Sequence, residues 1–192
     1  MEESLRPEEK VYIGMGADAV VKEETLIKGR WHIECLDADG SLIWEEDIDN
    51  VVCTVGKNVA LDAFLAGAAY TVVGPFMGLI SSTSFTAVNV ADTMTSHAGW
   101  LEAGGANTPT YTAPRKTCAW AAATAGGKSL SAALSFAMTG TGTIQGIFLA
   151  YGTGALSTID NTAGTLLSAG ALGAAQPVIN GNTVNASYTM TL

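Results

Sequence analysis

The chain has 192 residues and a net charge of −9, with 22 glycines and only 7% aromatics. That is enough chain for one sizeable core, or a core plus an arm. The acidic balance argues against nucleic acid as a direct partner, because phosphate neutralisation needs clustered Lys and Arg and the densest basic pair is Arg115-Lys116.

Charged residues make up 14% of the chain, where ~25% is ordinary. They are unevenly spread. Residues 1–50 hold 14 of the 18 acids, whereas residues 129–192 hold no Asp, Glu, Lys or Arg except Asp160. A surface of Thr, Ser, Gly, Ala and Asn suits permanent contact with copies of itself or with other proteins, since few charges must leave water. The composition points to an assembled structural protein more than to a freely diffusing catalyst.

Residues 1–27 form an acidic N-terminal arm, in which Pro7 and the Gly14-Met15-Gly16 step disfavour a long helix. MEESLRPEEK carries no apolar stretch of the secretory kind. Cys35, Cys53 and Cys118 include no CxxC pair and are expected to be reduced, buried thiols in a cytosolic product.

From Gly29 to Asn50, Trp31, Ile33 and Cys35 alternate with Arg30, His32 and Glu34, followed by Asp37-Ala38-Asp39-Gly40 and Leu42-Ile43-Trp44. Period-two alternation around an Asp-Gly turn predicts a β-hairpin, in which Trp31 and Trp44 could pair across it, the loop length leaving the register open. His32-Ile33-Glu34 has the H-x-E form of zinc deaminases, but that site also needs a P-C-x-x-C, which is missing; His32 is expected on the surface. Asp37, Asp39, Asp47 and Asp49 lack the offsets and closing Glu of a calcium loop and read as turn residues on a solvated edge.

The i, i+4 apolar spacing around Val55 to Leu65 predicts one short helix, Lys57 to Leu65, ended by Gly67. The apolar run Ala60 to Ile80 is broken by Asp62, Pro75 and three glycines, so no membrane insertion is expected. Phe76 to Ile80 reads as a short buried strand, and Ser81 to Gly99 as a loop carrying His97 beside Trp100, where a structural hydrogen bond is expected of the histidine. The remaining strand candidates are 113–123, 131–139, 143–151, 165–168 and 183–192. In 143–151, Ile144, Gly146, Phe148 and Ala150 should share a face. In the last, Val184, Ala186, Tyr188, Met190 and Leu192 alternate with Asn185, Ser187, Thr189 and Thr191. Gly126-Gly127-Lys128-Ser129 lacks the glycine a phosphate loop needs at position 122, so a plain hairpin turn is expected. Many short strands separated by turns predict a mainly β fold: an antiparallel, jelly-roll-like β-sandwich over 28–192, with one short helix and the extended arm.

Catalysis is poorly supplied. Two histidines, no Ser or Cys elbow and only three acids after residue 62 (Asp92, Glu102 and Asp160) leave little for a triad or a carboxylate pair. Neither an enzyme, a cofactor nor a metal is expected. Trp31, Trp44, Trp100, Tyr111, Arg115 and Trp120 are the candidate interface residues, since Trp, Tyr and Arg are enriched in such contacts, with anchoring in the core the other reading for Trp100 and Trp120 and the one favoured there. Arg115 would then pair with an acid on a neighbouring subunit.

A further set of segments carries a resemblance: Lys28-Gly29-Arg30-Trp31, Asp37 to Gly40, Trp44, Asn50-Val51-Val52, Gly56 to Asp62, Ala91 to Trp100, Ile144 to Leu149, Gly164 to Leu167 and the alternating final strand. Over about residues 28–192 the chain resembles a group of small virion structural proteins of tailed bacteriophages, the accessory capsid and fibre-like proteins. The resemblance implies a β-sandwich, no catalysis, synthesis in the host bacterial cytoplasm and a place on the particle. The expected role is a capsid cement or decoration protein on the outer shell, in contact with the major capsid protein and with copies of itself as a dimer or trimer. The alternatives are a fibre or adaptor component of head or tail, and a host-glycan-binding module using Trp100, Tyr111 and Trp120.

Overall fold

In a computed structural model the described residues are 27–65 and 73–191. The arm, apart from Ile27, and the Gly67 helix stop lie outside them.

The alternating segment after residue 27 forms the expected hairpin, β1 (Lys28–Leu36) and β2 (Leu42–Asp49). Trp31, Ile33 and Cys35 are buried, while Arg30 and His32 face out. The turn is held by Asp37, whose Oδ1 accepts from the backbone N–H of Asp39 (3.1 Å) and Ser41 (3.0 Å). Trp31 does not pair with Trp44, however. Trp31 faces Ile48 and Trp44 faces Cys35, while Leu36 faces Leu42, so Ile43 is an extra residue looped out of the ladder.

After β3 (Val51–Val52) comes α1 (Thr54–Leu65). The helix starts three residues before the expected Lys57, and the Lys57 N–H closes its first turn on the Cys53 carbonyl at 3.0 Å. Gly56 permits its close seat: a Cβ there would lie 2.8 Å from the Leu167 carbonyl oxygen.

The rest is strands: β4 (Phe76–Ser81), β5 (Leu101–Glu102), β6 (Lys116–Thr117), β7 (Gly127–Ser129), β8 (Leu134–Ala137), β9 (Gly142–Tyr151), β10 (Thr165–Val178) and β11 (Thr183–Thr191). The expected strand over 113–123 shrinks to Lys116–Thr117 and a lone bridge between Trp120 and Leu130. The segment expected at 165–168 is far longer and reaches Val178. Ala125 and Gly126 both have positive φ (48° and 75°) between bridged Thr124 and Gly127, which is the hairpin turn anticipated at that glycine pair.

Two antiparallel sheets result. One has the order β2-β1-β11-β7, with β8 also on β11; the other has the order β3-β10-β9-β4-β5, with β6 also on β4. Their facing sides share one core, in which Trp31, Ile33, Val184 and Tyr188 of the first sheet meet Met77, Leu79, Ile147 and Leu149 of the second. This layout is consistent with the expected β-sandwich.

The second sheet is covered on its other side too. There Ile80, Phe148, Ala150, Leu166 and Ala169 pack with Cys53, Met94 and Trp100 beneath α1 and the 82–100 loop. Ile144 does not share the Phe148 face. It joins Ile147 and Leu149 in the first core, because Gln145 is left out of the ladder on both sides and flips the alternation. Among the described residues, none covers the outer face of the first sheet.

Candidate interaction surface

That open face has two halves. On β1 and β2 it is charged. Arg30 Nη2 lies 3.2 Å from Asp47 Oδ2, His32 Nδ1 lies 2.9 Å from Asp47 Oδ1, and His32 Nε2 lies 3.9 Å from Glu45. Hydrogen bonds from His32 first, then Arg30, hold the Asp47 carboxyl below its usual value.

On β11, β8 and β7 the face is uncharged. The outward residues Asn185, Ser187 and Thr189 stand in register with Glu34, His32 and Arg30. The polar groups of Asn185 and Thr189 are already engaged. Ser135 donates to Asn185 at 2.6 Å, Asn185 donates to Glu34 at 3.0 Å, and Ser129 and Thr189 share a hydrogen bond of 2.9 Å. Covering such a ladder strips few unmet hydrogen bonds from water.

The six expected interface residues divide by burial. Trp31 (0% exposed), Trp100 (1%), Tyr111 (3%) and Arg115 (1%) are interior. Trp31 packs on Tyr188 with centroids 4.2 Å apart. Trp100 stacks on His97 at 3.9 Å and donates from Nε1 to Asp92 at 2.9 Å, while His97 Nδ1 meets the Trp100 carbonyl at 2.9 Å, the structural hydrogen bond expected of it. Tyr111 meets Phe136 edge-on at 5.0 Å. Trp44 and Trp120 are half-buried. Trp44 donates from Nε1 to the Pro177 carbonyl at 2.9 Å, and Trp120 lies edge-on to Tyr188 at 6.1 Å.

Arg115 corrects a specific expectation, because its acid belongs to its own chain. Arg115 Nε and Nη2 donate to the two carboxylate oxygens of Glu102 at 2.7 and 2.6 Å, and further donors reach the carbonyls of Leu156 (3.1 Å) and Asn161 (2.6 Å). Glu102 also accepts from the Asp160 N–H at 2.7 Å, and Asp160 accepts from the Ala106 N–H at 2.7 Å. Burial pushes the Glu102 carboxyl above its usual value against the pull of Arg115. The cluster joins loops around 102–107, 115 and 156–161, and a cavity of about 100 Å³ beside it is lined in part by His97, Trp100 and Thr162. Every strong donor there serves the chain itself, so the arrangement fastens loops and presents no nucleophile.

The cysteines are free and buried, as expected. Burial pushes Cys53 and Cys118 up to about 12 and Cys35 up to about 11, so all three stay protonated and unreactive at neutral pH. Among the described residues no group of three or more His, Cys, Asp or Glu is placed to hold a metal ion, and no helix is long and apolar enough to cross a membrane. An open depression of about 370 Å³ lies where β1 begins, between Lys28, Asn50, Lys57 and Val90.

Large apolar side chains left exposed gather at separate corners. Leu42, Ile43 and Ile179 lie toward the free end of the β1–β2 hairpin, Leu61 and Leu65 on α1, and Leu101 and Leu156 beside the Arg115 cluster. Nothing in the sequence separates these side chains from core residues; Ile43 is set apart by its place outside the ladder. No protein-family model, curated protein or solved structure matches the chain.

Proposed function

We propose that the chain is a capsid cement or decoration protein of a tailed bacteriophage, seated on the outer shell and bridging neighbouring major capsid subunits. The observation that carries this reading is the uncharged half of the open sheet face. Asn185, Ser187 and Thr189 look outward, and hydrogen bonds within the chain already engage Asn185 and Thr189. Such a face is covered at little desolvation cost. The separate exposed apolar corners give a bridging protein more than one point of contact, each contributing roughly 25 cal/mol per Å² of apolar area covered. Many copies on one lattice add avidity, so each contact can be weak alone.

The jelly-roll part of the reading is supported by the first and last strands lying side by side, β1 against β11, and by the chain crossing between sheets after β2 and after β10. Two hairpins that stay within one sheet, β1–β2 and β9–β10, are the less typical feature.

Particles stripped of this protein are expected to lose resistance to heat or chelation and to regain it when the protein is added back. Unchanged particle stability would remove the cement role. A fibre or adaptor component is the second reading, favoured by the same low-charge surface. It predicts few copies per particle where decoration predicts many, so densitometry of virion proteins separates the two. The glycan-binding reading asks for exposed aromatics, and two of its three, Trp100 and Tyr111, lie inside.

A further inference from the structure

We infer that the free end of the β1–β2 hairpin is a docking surface for a basic partner protein, one that presents an apolar anchor among lysines or arginines. The inference rests on the decoration reading only for the identity of that partner, the shell. Its apolar side chains are Leu42 (53% exposed) and Ile43 (46%) at the hairpin end and Ile179 (55%), two residues beyond the Pro177 carbonyl that Trp44 engages, and Asp37, Asp39 and Glu45 lie in the same hairpin.

Three observations make this a built surface. First, Ile43 is the residue looped out of the β1–β2 ladder, since Cys35 faces Trp44 and Leu36 faces Leu42. A bulge re-aims a side chain, and here it turns an isoleucine toward water where a polar residue would keep the fold equally well. Second, the patch is held stiffly. Trp44 donates to the Pro177 carbonyl at 2.9 Å, two residues before Ile179, and Glu46 accepts from the Gly173 N–H at 2.6 Å, so β10 is fastened to the hairpin. Third, the acids are fixed in place: Asp37 and Asp39 accept hydrogen bonds from the Ser41 N–H, both at 3.0 Å. An apolar centre with a polar rim is the usual anatomy of a contact site.

Charge selects the occupant. Residues 31–56 carry no Lys or Arg, and residues 173–183 carry no charge at all, so within these segments the rim acids meet no cationic side chain other than His32 when protonated, 3.9 Å from Glu45. A second copy meeting this patch about a two-fold axis would set acids against acids. Among the described residues a head-to-tail copy offers no better match. Arg115 is buried on Glu102, Arg30 pairs with Asp47, Lys28 and Lys57 share a depression with Asp49, and Lys116 and Lys128 lie singly elsewhere. A basic surface on a different protein satisfies both the anchor and the rim.

The test uses the full chain and, as probe, a labelled synthetic peptide of alternating leucine and lysine, with a leucine–glutamate peptide as control, read by fluorescence anisotropy. The lysine peptide should bind the parent, more weakly as salt rises, and the glutamate peptide should not. Ile43→Ser, Ile179→Ser and Glu45→Lys should each weaken binding by about tenfold or more, while Leu61→Ser, exposed on α1, should not. Unfolding curves of each variant check that these exposed positions leave the fold intact. Absence of binding by the parent, equal binding of both peptides, or variants that bind like the parent would overturn the inference. So would self-association of the chain that Ile43→Ser abolishes. A second arm uses purified shells that lack the protein. If the parent ignores shells but binds the peptide through this patch, the decoration reading fails and the docking surface stands. If parent and Ile43→Ser bind shells equally, the docking surface fails and decoration stands.

Discussion

Strands β1 and β11 lie side by side and pair rung by rung from Lys28/Thr191 to Leu36/Thr183. Inward they are alike: Trp31, Ile33 and Cys35 on one and Tyr188, Ala186 and Val184 on the other are all buried. Outward they differ. β1 offers Arg30, His32 and Glu34, and β11 offers Thr189, Ser187 and Asn185. The inward match is what folding requires of any two neighbouring strands. The outward difference does nothing for the core, and what it changes is the cost of covering each strand, high over β1 and low over β11. That separation between residues that fold the chain and residues that set what it touches runs through the molecule.

The sharpest exception is a charge that folds the chain. Arg115→Ala would strand a buried Glu102 and free two carbonyls, and is expected to destabilise by about 3–5 kcal/mol in urea unfolding. Arg115→Lys should rescue little of this, since an ammonium cannot make the two-pronged contact to both Glu102 oxygens. Trp31→Ala tests the inward side of the comparison and should lose about 3–5 kcal/mol by opening the core against Tyr188. Gly29→Ala is a smaller perturbation of the same contact. Its Cβ would lie 2.1 Å from the Tyr188 hydroxyl, which Asn50 contacts at 2.7 Å, and a loss of about 1–3 kcal/mol is expected.

The outward side gives the smallest effects. Arg30→Ala should move the urea midpoint no further than ordinary surface changes do. The acids provide a sign test. Asp47 is held below its usual 3.8, so the stability it contributes is present above that value and is lost as pH falls through the lowered one. Asp47→Asn should remove that acid-side slope. Glu102 is shifted the opposite way by burial, so its contribution falls as pH rises from the usual 4.5 through the raised value, and Glu102→Gln should flatten that separate slope.

How far the sequence revealed these features depends on the local pattern. The β1–β2 hairpin and β11 were legible because one face is buried and the other wet, so alternation is strict. Two local features were not legible. The turn spans Asp37 to Ser41, which with the one-residue bulge at Ile43 sets Trp31 opposite Ile48 and not Trp44, and Gln145, left out of the ladder, moves Ile144 off the Phe148 face. The sequence marks only the first four residues of β10 as strand, because Ala169 to Ala175 holds few strand-forming side chains. Small residues are required there, since a Cβ on Gly146 would meet the Gly170 carbonyl oxygen at 2.1 Å and one on Gly170 would meet Trp31 at 3.1 Å. Close packing thus erases the propensity signal that marks a strand. The Glu102 partner of Arg115 left a faint trace: it is one of only three acids after residue 62. Low charge in the last third was legible from composition, but composition does not reveal that much of it is core strand and only part is open face.

Particle binding by a Ser187→Lys/Thr189→Lys double variant tests the central claim most directly, because it places charge on the outward positions of β11 while the inward side is untouched. The fold should survive with only the small loss expected of lysines facing Arg30 and His32 across the ladder, and affinity for shells should fall by about tenfold or more, equivalent to ~1.4 kcal/mol. A variant that folds and binds shells as tightly as the parent would contradict the account, since the uncharged half of the sheet would then be a free surface.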